Sequence, residues 1–114
     1  MNLRLNANAL VMNEEGKILL IKLKKGPFCG GICLPGGGIN PGELGHEAVR
    51  REIKEETGIE LNGLVNPIGF CELMREDIKK YRVVLLFHSI GGGEPLETEE
   101  GIAFWGILEK LKMI

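Results

Sequence analysis

The sequence predicts a single α/β (α+β) domain in which a mixed β-sheet is flanked by helices. Three observations carry this prediction. First, one segment has apolar residues at the spacing of a helix, and the segments before and after it have apolar residues at the spacing of strands. Second, the length of 114 residues suits one domain. Third, the sequence contains neither an internal repeat nor a linker. The predicted order is two strands, a helix, two or three strands and a closing helical turn. This order, with hairpins between neighbouring strands, is typical of a mixed sheet and indicates one domain over residues 1–114.

The first two predicted strands lie before residue 24. In the first, apolar residues alternate with polar ones, which is the pattern of a strand with one face on a core: Leu3, Leu5, Ala7, Ala9 and Val11. A tight turn is predicted at Asn13–Gly16. The following segment, Lys17–Leu23, contains the unbroken apolar run Ile18–Ile21, so this second strand is predicted to be covered on both faces. The two strands are predicted to form a hairpin.

A long irregular loop and the best helical pattern of the chain come next. Residues 24–42 contain seven glycines and three prolines, which leaves room only for a short strand near Ile32–Leu34. Loops of this length inside a compact domain are usually functional. The helix is predicted from about Leu44 to Thr57 and ends at Gly58, because glycine readily adopts the left-handed conformation that ends helices. No serine, threonine or aspartate marks its start.

The remaining elements are predicted from the same kinds of pattern. Strands are expected at about Val65–Met74, Tyr81–Ile90 and Ile102–Ile107. A closing helical turn is expected at Leu108–Met113. With the first two strands and the helix, these elements complete the predicted mixed sheet.

Composition and charge exclude several classes of protein. Hydrophobic residues make up 44% of the chain and charged residues 26%, and the formal net charge is -2, which disfavours both disorder and strong affinity for nucleic acid. The longest apolar runs, Ile18–Ile21 and Val83–Phe87, are far shorter than the roughly 20 residues that span a bilayer. The amino terminus does not resemble a secretion signal. Three cysteines without metal-binding spacing indicate reduced thiols in a cytoplasmic protein.

The predicted helix carries three glutamates on one side. At about 100° per residue, Glu52, Glu55 and Glu56 occupy an arc of roughly 100°. Val49 and Ile53 point to a flank that packs on the sheet. Glu52 and Glu56 are like charges four residues apart, which is unfavourable unless something compensates. A hard divalent cation is one explanation, because Mg²⁺ prefers oxygen ligands. A solvated acidic face, neutralised by nearby basic residues, is the other.

The residues around this helix follow a longer pattern. Gly37 is followed after five residues by Glu43, and after seven more by the segment Arg51-Glu52-Ile53-Lys54-Glu55-Glu56-Thr57-Gly58-Ile59. This pattern resembles the Nudix box at every defining position, and the order of strands before and after it extends the resemblance over nearly the whole chain. The resemblance implies a Nudix-type α/β/α sandwich with a mixed central sheet and the catalytic helix at about residues 44–57.

The resemblance also implies a reaction and a cofactor. Nudix hydrolases typically cleave a pyrophosphate bond in a nucleoside diphosphate linked to another moiety, with water attacking one phosphorus. The glutamates at the positions of Glu52, Glu55 and Glu56 hold Mg²⁺ or Mn²⁺ in that family, and the Gly37 carbonyl is a further candidate ligand. Such metal ions offset charge that develops on the phosphate and make bound water more acidic. Among the glutamates, Glu52 is the first candidate for the general base.

Other residues of the box have structural roles by resemblance. Arg51 is expected to pair with Glu43, and its helical spacing also suits ion pairs with Glu47 and Glu55. Gly58 ends the helix. The glycines at positions 36–38 let the backbone turn sharply and approach metal and phosphate closely, where side chains would interfere.

An acidic loop before the last strand supplies further candidates. Aligned on the strand of Trp105, Glu99 takes the position of another catalytic or metal-binding glutamate in mutator-type Nudix enzymes. Glu97 and Glu100 are adjacent alternatives, and an exposed acidic turn is the plain interpretation. Trp105 is a candidate to stack on a substrate base, although aromatic residues on strands more often fill the core.

Two lysines at the end of the second strand are candidates to bind a substrate phosphate. Relatives often present an arginine there, but Leu23 stands at its place, with Lys22 and Lys24 on either side. The alternative is that both are ordinary surface lysines. Two departures from the family pattern, Ile32 at an aromatic position and Asn40 at an acidic one, affect loop packing or substrate fit and leave the carboxylates intact.

The leading hypothesis is therefore an enzyme, a Nudix pyrophosphohydrolase acting on a small nucleotide-type substrate. The alternative is a non-catalytic Nudix-fold module that binds or senses a nucleotide, although its usual mark, loss of box glutamates, is missing. The substrate stays open among modified nucleoside triphosphates, nucleotide sugars such as ADP-ribose, dinucleoside polyphosphates and capped RNA ends. No basic stripe is evident, so no long nucleic acid is expected, and no membrane either. The chain stops nine residues after Trp105, so a homodimer is expected to complete the pocket.

Overall fold

The computed structural model describes residues 2–26, 28–77 and 79–110. One α-helix, α1, spans Gly45–Thr57, and a short 3₁₀ helix spans Leu108–Lys110. The strands follow in chain order: β1 Asn2–Met12, β2 Ile18–Leu23, β3 Ile32–Cys33, β4 Gly36–Gly38, β5 Asn66–Arg75, β6 Lys80–Ile90 and β7 Gly101–Gly106. All the strands predicted from the sequence are present within one or two residues, and β4 is an addition. The predicted closing turn at Leu108–Met113 begins as the 3₁₀ helix, and its end lies outside the described residues.

The strands form one mixed sheet. Its main path runs β3-β2-β1-β6-β5, with β4 paired to β1 and β7 paired to β2. Strands β1 and β6 are parallel from Asn2↔Lys80 to Met12↔Ile90, and the other pairs are antiparallel. The predicted mixed sheet is confirmed. Among the described residues α1 is the single α-helix, so one helical layer of the expected sandwich is present there together with the 3₁₀ helix.

The predicted hairpin of β1 and β2 exists only at its turn. The two strands pair at Met12↔Ile18 alone, above a turn in which the Asn13 side chain accepts two backbone N–H groups. Further along the same edge, residues 6–8 of β1 pair with β4, and β2 pairs with β7 along its whole length. A strand edge can pair with only one partner at a time, so β4 separates the two strands of the expected hairpin.

The core lies between α1 and one face of the sheet. Val49 and Ile53 are fully buried, as their predicted orientation requires, against the β1 residues Ala7 and Ala9. The small side chains of β1 allow the helix to lie close to the sheet. The run from Ile18 to Ile21 is buried throughout, which confirms that β2 is covered on both faces. The helix is thereby fixed on the sheet, and its other side is available for chemistry.

Both ends of the helix are capped. At the start, the Glu47 carboxylate accepts the Leu44 N–H at 2.8 Å, which compensates for the missing serine, threonine or aspartate. At the end, Gly58 has φ 77° and donates its N–H to the Lys54 carbonyl at 2.9 Å. The predicted role of Gly58 is confirmed in this geometry. No helix among the described residues is long and apolar enough to cross a membrane.

Candidate active site

A cavity of about 250 Å³ lies on the face of the sheet that points away from Ala7 and Ala9. Its floor consists of side chains that alternate with the core residues on β1, β5 and β6: Asn6, Asn8, Cys71, Leu73, Arg82, Val84 and Leu86. The remaining wall comes from β2, from the loop after it and from the end of α1: Leu23, Phe28, Cys33, Leu34, Gly36 and Glu56. The cavity therefore joins the irregular loop to the glutamate side of the helix.

Gly36 brings the backbone of the loop directly against β1. It has φ 147°, and a Cβ atom at this position would lie 2.2 Å from the Ala7 carbonyl oxygen and 2.5 Å from the Asn8 Cα. The Gly36 N–H points the other way and donates to the Glu56 Oε1 at 2.9 Å. Glycine is required here because no side chain fits between the two strands.

Gly37 lies against another glutamate of the helix. A Cβ atom on Gly37 would lie 2.7 Å from the carboxylate of Glu52, so the absent side chain is what allows this close approach. Gly36 and Gly37 thus hold the backbone of β4 against the two carboxylates, Glu56 and Glu52. The structure brings Gly37 and these two predicted ligands together.

Arg51 organises the acidic side of the helix. It makes two hydrogen bonds to Glu43, from Nε at 2.7 Å and from Nη2 at 2.9 Å, which is the bidentate geometry of strong arginine–carboxylate pairs. Nη1 donates to Glu52 at 2.7 Å and to Glu55 at 3.4 Å, and Nη2 also donates to the Gly38 carbonyl. The hydrogen bond from Arg51 lowers the pKa of Glu43 to about 2. The predicted pairs with Glu43 and Glu55 are present, while Glu47 instead caps the helix.

Glu56 is a buried carboxylate beside two other acids. Only 9% of the residue is exposed. Burial, followed by the charges of Glu52 and Glu100, raises its pKa to about 8, although the Gly36 N–H opposes this shift. The side chain of Glu100 lies within hydrogen-bonding reach of Glu56. A buried acid next to two like charges is costly in isolation, which marks this position as one that a cation would stabilise.

The loop before β7 contributes Glu100 to this cluster. Its neighbour Glu97 instead forms an ion pair with Lys24 at 2.5 Å, and the Lys24 N–H donates to the Glu100 carbonyl. Glu99 is exposed, and none of the hydrogen bonds or ion pairs found within residues 2–26, 28–77 and 79–110 includes it. Of the three loop glutamates considered from the sequence, the structure therefore brings the alternative Glu100 to the helix, and the role of Glu99 stays a prediction.

The three box glutamates differ in their surroundings. Glu52 is largely enclosed, Glu56 is buried, and the Glu55 side chain is 59% exposed. Across the described part of the chain, no three His, Cys, Asp or Glu side chains are arranged so that they could hold a metal ion by themselves. Mg²⁺ does not require such a set, because this ion keeps several waters and is often bound by one or two carboxylates together with substrate phosphates.

The residues predicted to bind substrate are spread over different places. Lys22 is exposed on β2, and Lys24 is paired with Glu97 near the acidic loop. The Trp105 side chain packs partly against the core and donates from Nε1 to the Gly93 carbonyl at 2.8 Å. Trp105 also lines a second cavity, next to the glycines at 91–93, and does not line the one that contains Glu56. Its proposed stacking on a base stays a prediction.

The sequence reasoning missed three polar residues of the cavity, Asn6, Asn8 and Arg82. They lie at strand positions whose neighbours depend on the register of β1 and β6, and no local pattern reveals that register. The aromatic residue Phe28 lies in the irregular loop, where no periodicity predicts its direction. Cys33 also lines the cavity. Burial, with the charge of Glu56, raises the pKa of its thiol to about 11, so this cysteine is a protonated wall residue.

Comparison with known proteins agrees with this arrangement. The family model described as the NUDIX domain matches residues 2–111 of the chain. The fold is similar to that of a MutT NUDIX hydrolase from Burkholderia pseudomallei, with a TM-score of 0.86 and 29% identity over 100% of this chain and 90% of that one. The similarity extends well beyond the box residues.

Two curated relatives have related names. The nucleoside triphosphatase NudI of Escherichia coli O1:K1 / APEC is 45% identical over 100 residues, which is 79% of this chain and 71% of that protein. An ADP-ribose pyrophosphatase of Methanocaldococcus jannaschii is 55% identical over 49 residues, which is 43% of this chain and 29% of that protein. The chain spans less than two thirds of the length of several curated relatives that it matches. Because the family model covers nearly the whole chain, this protein belongs to the Nudix hydrolase family.

Proposed function

We propose that this chain hydrolyses a pyrophosphate bond in a nucleoside diphosphate linked to another moiety, with a divalent cation as cofactor. The observation that carries the proposal is the buried Glu56 carboxylate, which faces Glu52 and Glu100 at the edge of a ligand-sized cavity. With its pKa raised to about 8, Glu56 is mostly protonated at neutral pH when no cation is bound, and a cation among the three acids would stabilise its charged form. The names of two relatives, a nucleoside triphosphatase and an ADP-ribose pyrophosphatase, support the same class of reaction.

The residues present suit Mg²⁺ or Mn²⁺. The donors are hard oxygen atoms, namely the carboxylates of Glu52, Glu55 and Glu56, one loop glutamate and the Gly37 carbonyl, and such donors favour these ions over softer metals. When bound, the cation neutralises charge on the phosphate oxygens and lowers the pKa of a bound water.

The protein's own contribution is to position these groups. Arg51 holds Glu52 and Glu55 in fixed directions while its bidentate pair with Glu43 anchors it to the loop. Glu52 is our first candidate for the group that accepts a proton from the attacking water, since it is neither fully buried nor fully exposed. Lys22 and Lys24 are candidates to neutralise the outgoing phosphate, and Lys24 would do so in competition with its ion pair to Glu97.

A substrate panel tests the reaction. Purified protein is incubated with nucleoside triphosphates, their oxidised forms, ADP-ribose and dinucleoside polyphosphates, with Mg²⁺ or with a chelator, and product nucleotides are separated by chromatography. We expect turnover of at least one nucleotide with Mg²⁺ and a loss of at least about 10³-fold with the chelator, because the carboxylates alone repel the phosphates. Absence of turnover on every compound, together with measurable nucleotide binding, would support a sensing module instead.

A matched pair of variants tests which loop glutamate belongs to the site. We expect Glu100→Gln to lower kcat by about 10²-fold and Glu99→Gln to change it less than threefold, because only the Glu100 side chain reaches Glu56. The two residues are adjacent and both exposed, so each variant controls for the loss of one loop charge in the other. A larger effect of Glu99→Gln would instead support Glu99, the residue selected by its position relative to Trp105, and would contradict the geometry of the loop.

We also place the protein in the cytoplasm and propose that it forms a homodimer. All three cysteines are unpaired, which suits a reducing compartment. Large apolar side chains are exposed on the sheet at Leu3, Leu5, Phe70 and Met74, and a second copy would cover such a surface. Localisation of a tagged chain tests the compartment. Sedimentation at micromolar concentration tests the dimer, and a monomer at all concentrations would contradict it.

A further inference from the structure

Four basic side chains meet at one end of the catalytic cavity's face. In the sheet, Arg4 is directly opposite Arg82, and Lys80 is directly opposite Arg75. Side chains alternate between the two faces of a strand, so Arg4 lies on the same face as Asn6, and Lys80 on the same face as Arg82. Both Asn6 and Arg82 line the cavity. We call these four residues the basic patch: Arg4, Arg75, Lys80 and Arg82.

Arg75 is linked to the cavity by a direct contact with one of its wall residues. The guanidinium of Arg75 lies 5.0 Å from the centre of the Phe28 ring, and Phe28 is itself part of the cavity wall. Leu73, two residues before Arg75, lines the cavity floor, which agrees with the alternation along β5. The patch therefore continues the cavity face from β1 across β6 to β5.

Most of this positive charge has no protein partner. Arg75 pairs with Asp77 at 2.5 Å, but the side chains of Arg4, Lys80 and Arg82 take part in none of the side-chain hydrogen bonds or ion pairs found within the described ranges 2–26, 28–77 and 79–110. Glu72, the acid on the neighbouring part of β5, faces the other side of the sheet, where it accepts the Tyr81 hydroxyl. Like charges directly opposite each other on neighbouring strands are unfavourable, and an anionic ligand would remove that cost.

The patch lies at a defined distance from the carboxylates. Glu56 accepts the N–H of Gly36, and Gly36 is paired with Asn8 of β1, which is in turn paired with Leu86 of β6. Arg82 comes four positions before Leu86 on β6, so the backbone positions of Arg82 and Leu86 are about 13 Å apart at 3.3 Å per residue. That separation is longer than a diphosphate bridge. A second anionic group on the same substrate therefore suits the patch better than the diphosphate held at Glu56 does.

We infer that the substrate is a nucleotide that carries a second phosphate on its nucleoside half, bound by Arg82 and Arg4. This inference rests on the proposed hydrolysis for the diphosphate end of the substrate and adds the recognition of its other end. Arginine suits this task, because its planar guanidinium binds phosphate oxygens in pairs. Val84 lies between the two ends, and Leu73 lies directly opposite Arg82, so the floor offers apolar surface for the nucleoside.

Equilibrium binding separates this inference from the hydrolysis. The probes are adenosine 5′-monophosphate and adenosine 3′,5′-bisphosphate, neither of which has a pyrophosphate bond, measured by calorimetry with Mg²⁺ present. We expect the bisphosphate to bind about tenfold more tightly than the monophosphate, with an advantage that shrinks as salt is raised. Arg82→Gln and the double variant Arg4→Gln/Arg82→Gln should abolish the advantage, and Arg82→Lys should keep part of it.

Lys17→Gln is the matched control, since Lys17 is an exposed cation beyond the opposite end of β1, where its ammonium lies 3.9 Å from Glu15. Equal binding of the two probes by the unmodified protein, or an advantage that survives in the double variant, would overturn the inference. Tighter binding of a 5′-phosphorylated dinucleotide than of the bisphosphate would assign the patch to a nucleic-acid end and also overturn it. If the protein prefers the bisphosphate but hydrolyses no nucleotide, the inference about the basic patch is supported and the proposed reaction is contradicted.

Discussion

Glu56→Gln is expected to lower kcat for pyrophosphate hydrolysis by about 10³-fold at saturating Mg²⁺. The substitution removes one ionisable acid from the cluster with Glu52 and Glu100, and it leaves an uncharged amide with a single oxygen where the carboxylate has two. Initial rates over a range of substrate and Mg²⁺ concentrations provide the measurement. Glu60→Gln is the matched control, because Glu60 is an exposed glutamate that forms an ion pair with Lys54. We expect its kcat to stay within twofold.

The stability of Glu56→Gln shows whether its lower kcat comes from lost catalysis or from lost folding. In the metal-free protein the pKa of Glu56 is raised from about 4.5 to about 8, so its contribution to stability is fully present below pH 4.5 and is lost as pH rises to 8. One pKa unit corresponds to about 1.4 kcal/mol, so this group lowers the free energy of unfolding by at most ~5 kcal/mol across that range. Glu56→Gln should remove the pH-dependent loss and be the more stable protein at pH 8. Equal stability of both proteins at pH 8 would contradict the burial of this charge.

Gly36→Ala is expected to lower the free energy of unfolding by at least about 3 kcal/mol. The new methyl group would overlap the Ala7 carbonyl and the Asn8 backbone, and φ 147° is unfavourable for any residue with a Cβ atom. Relief of this overlap requires β4 to move off β1, which also withdraws the N–H that holds Glu56. Denaturant unfolding followed by circular dichroism measures the stability, and kcat should fall together with it.

Gly38→Ala is the control in the same strand. Nothing lies within 4 Å of a Cβ atom at Gly38, and the residue does not have a positive φ. Arg51 is bonded to the Gly38 carbonyl, which the substitution leaves in place. We expect a change in stability within about 0.5 kcal/mol. If Gly38→Ala proved as harmful as Gly36→Ala, the effect would belong to the loss of glycine flexibility and not to the contact with β1.

Local patterns predicted most of the elements because the physics behind them is local. The end of α1 at Gly58 follows from the conformational freedom of glycine, and the burial of Ile53 follows from helical periodicity. The pairing of Arg51 with Glu43 came from the resemblance to a family pattern, and the geometry of this pair supports it. The start of the helix was less clear, because Glu47 acts as the cap from inside the helix and not from before it.

Contacts between distant residues were beyond the reach of such patterns. The alternation along β1 predicted which side chains are buried, but it does not specify that β6 lies beside it or that β4 displaces β2 from its edge. Among Glu97, Glu99 and Glu100, alignment on the Trp105 strand selected Glu99, whereas the structure brings Glu100 to Glu56. The choice depends on Lys24, which pairs with Glu97, and on the backbone path that turns Glu100 towards Glu56.

The sequence by itself determined the fold class, the helix that carries Glu52, Glu55 and Glu56, and the glycines that precede it. These features depend on short-range periodicity, on backbone preferences of single residues and on one contiguous pattern. Only the tertiary structure decided that Glu56 is buried beside Glu100, and that Arg4, Lys80 and Arg82 form one patch despite a net charge of -2. Strand register brings together residues that are nearly 80 positions apart, and no local pattern contains that information.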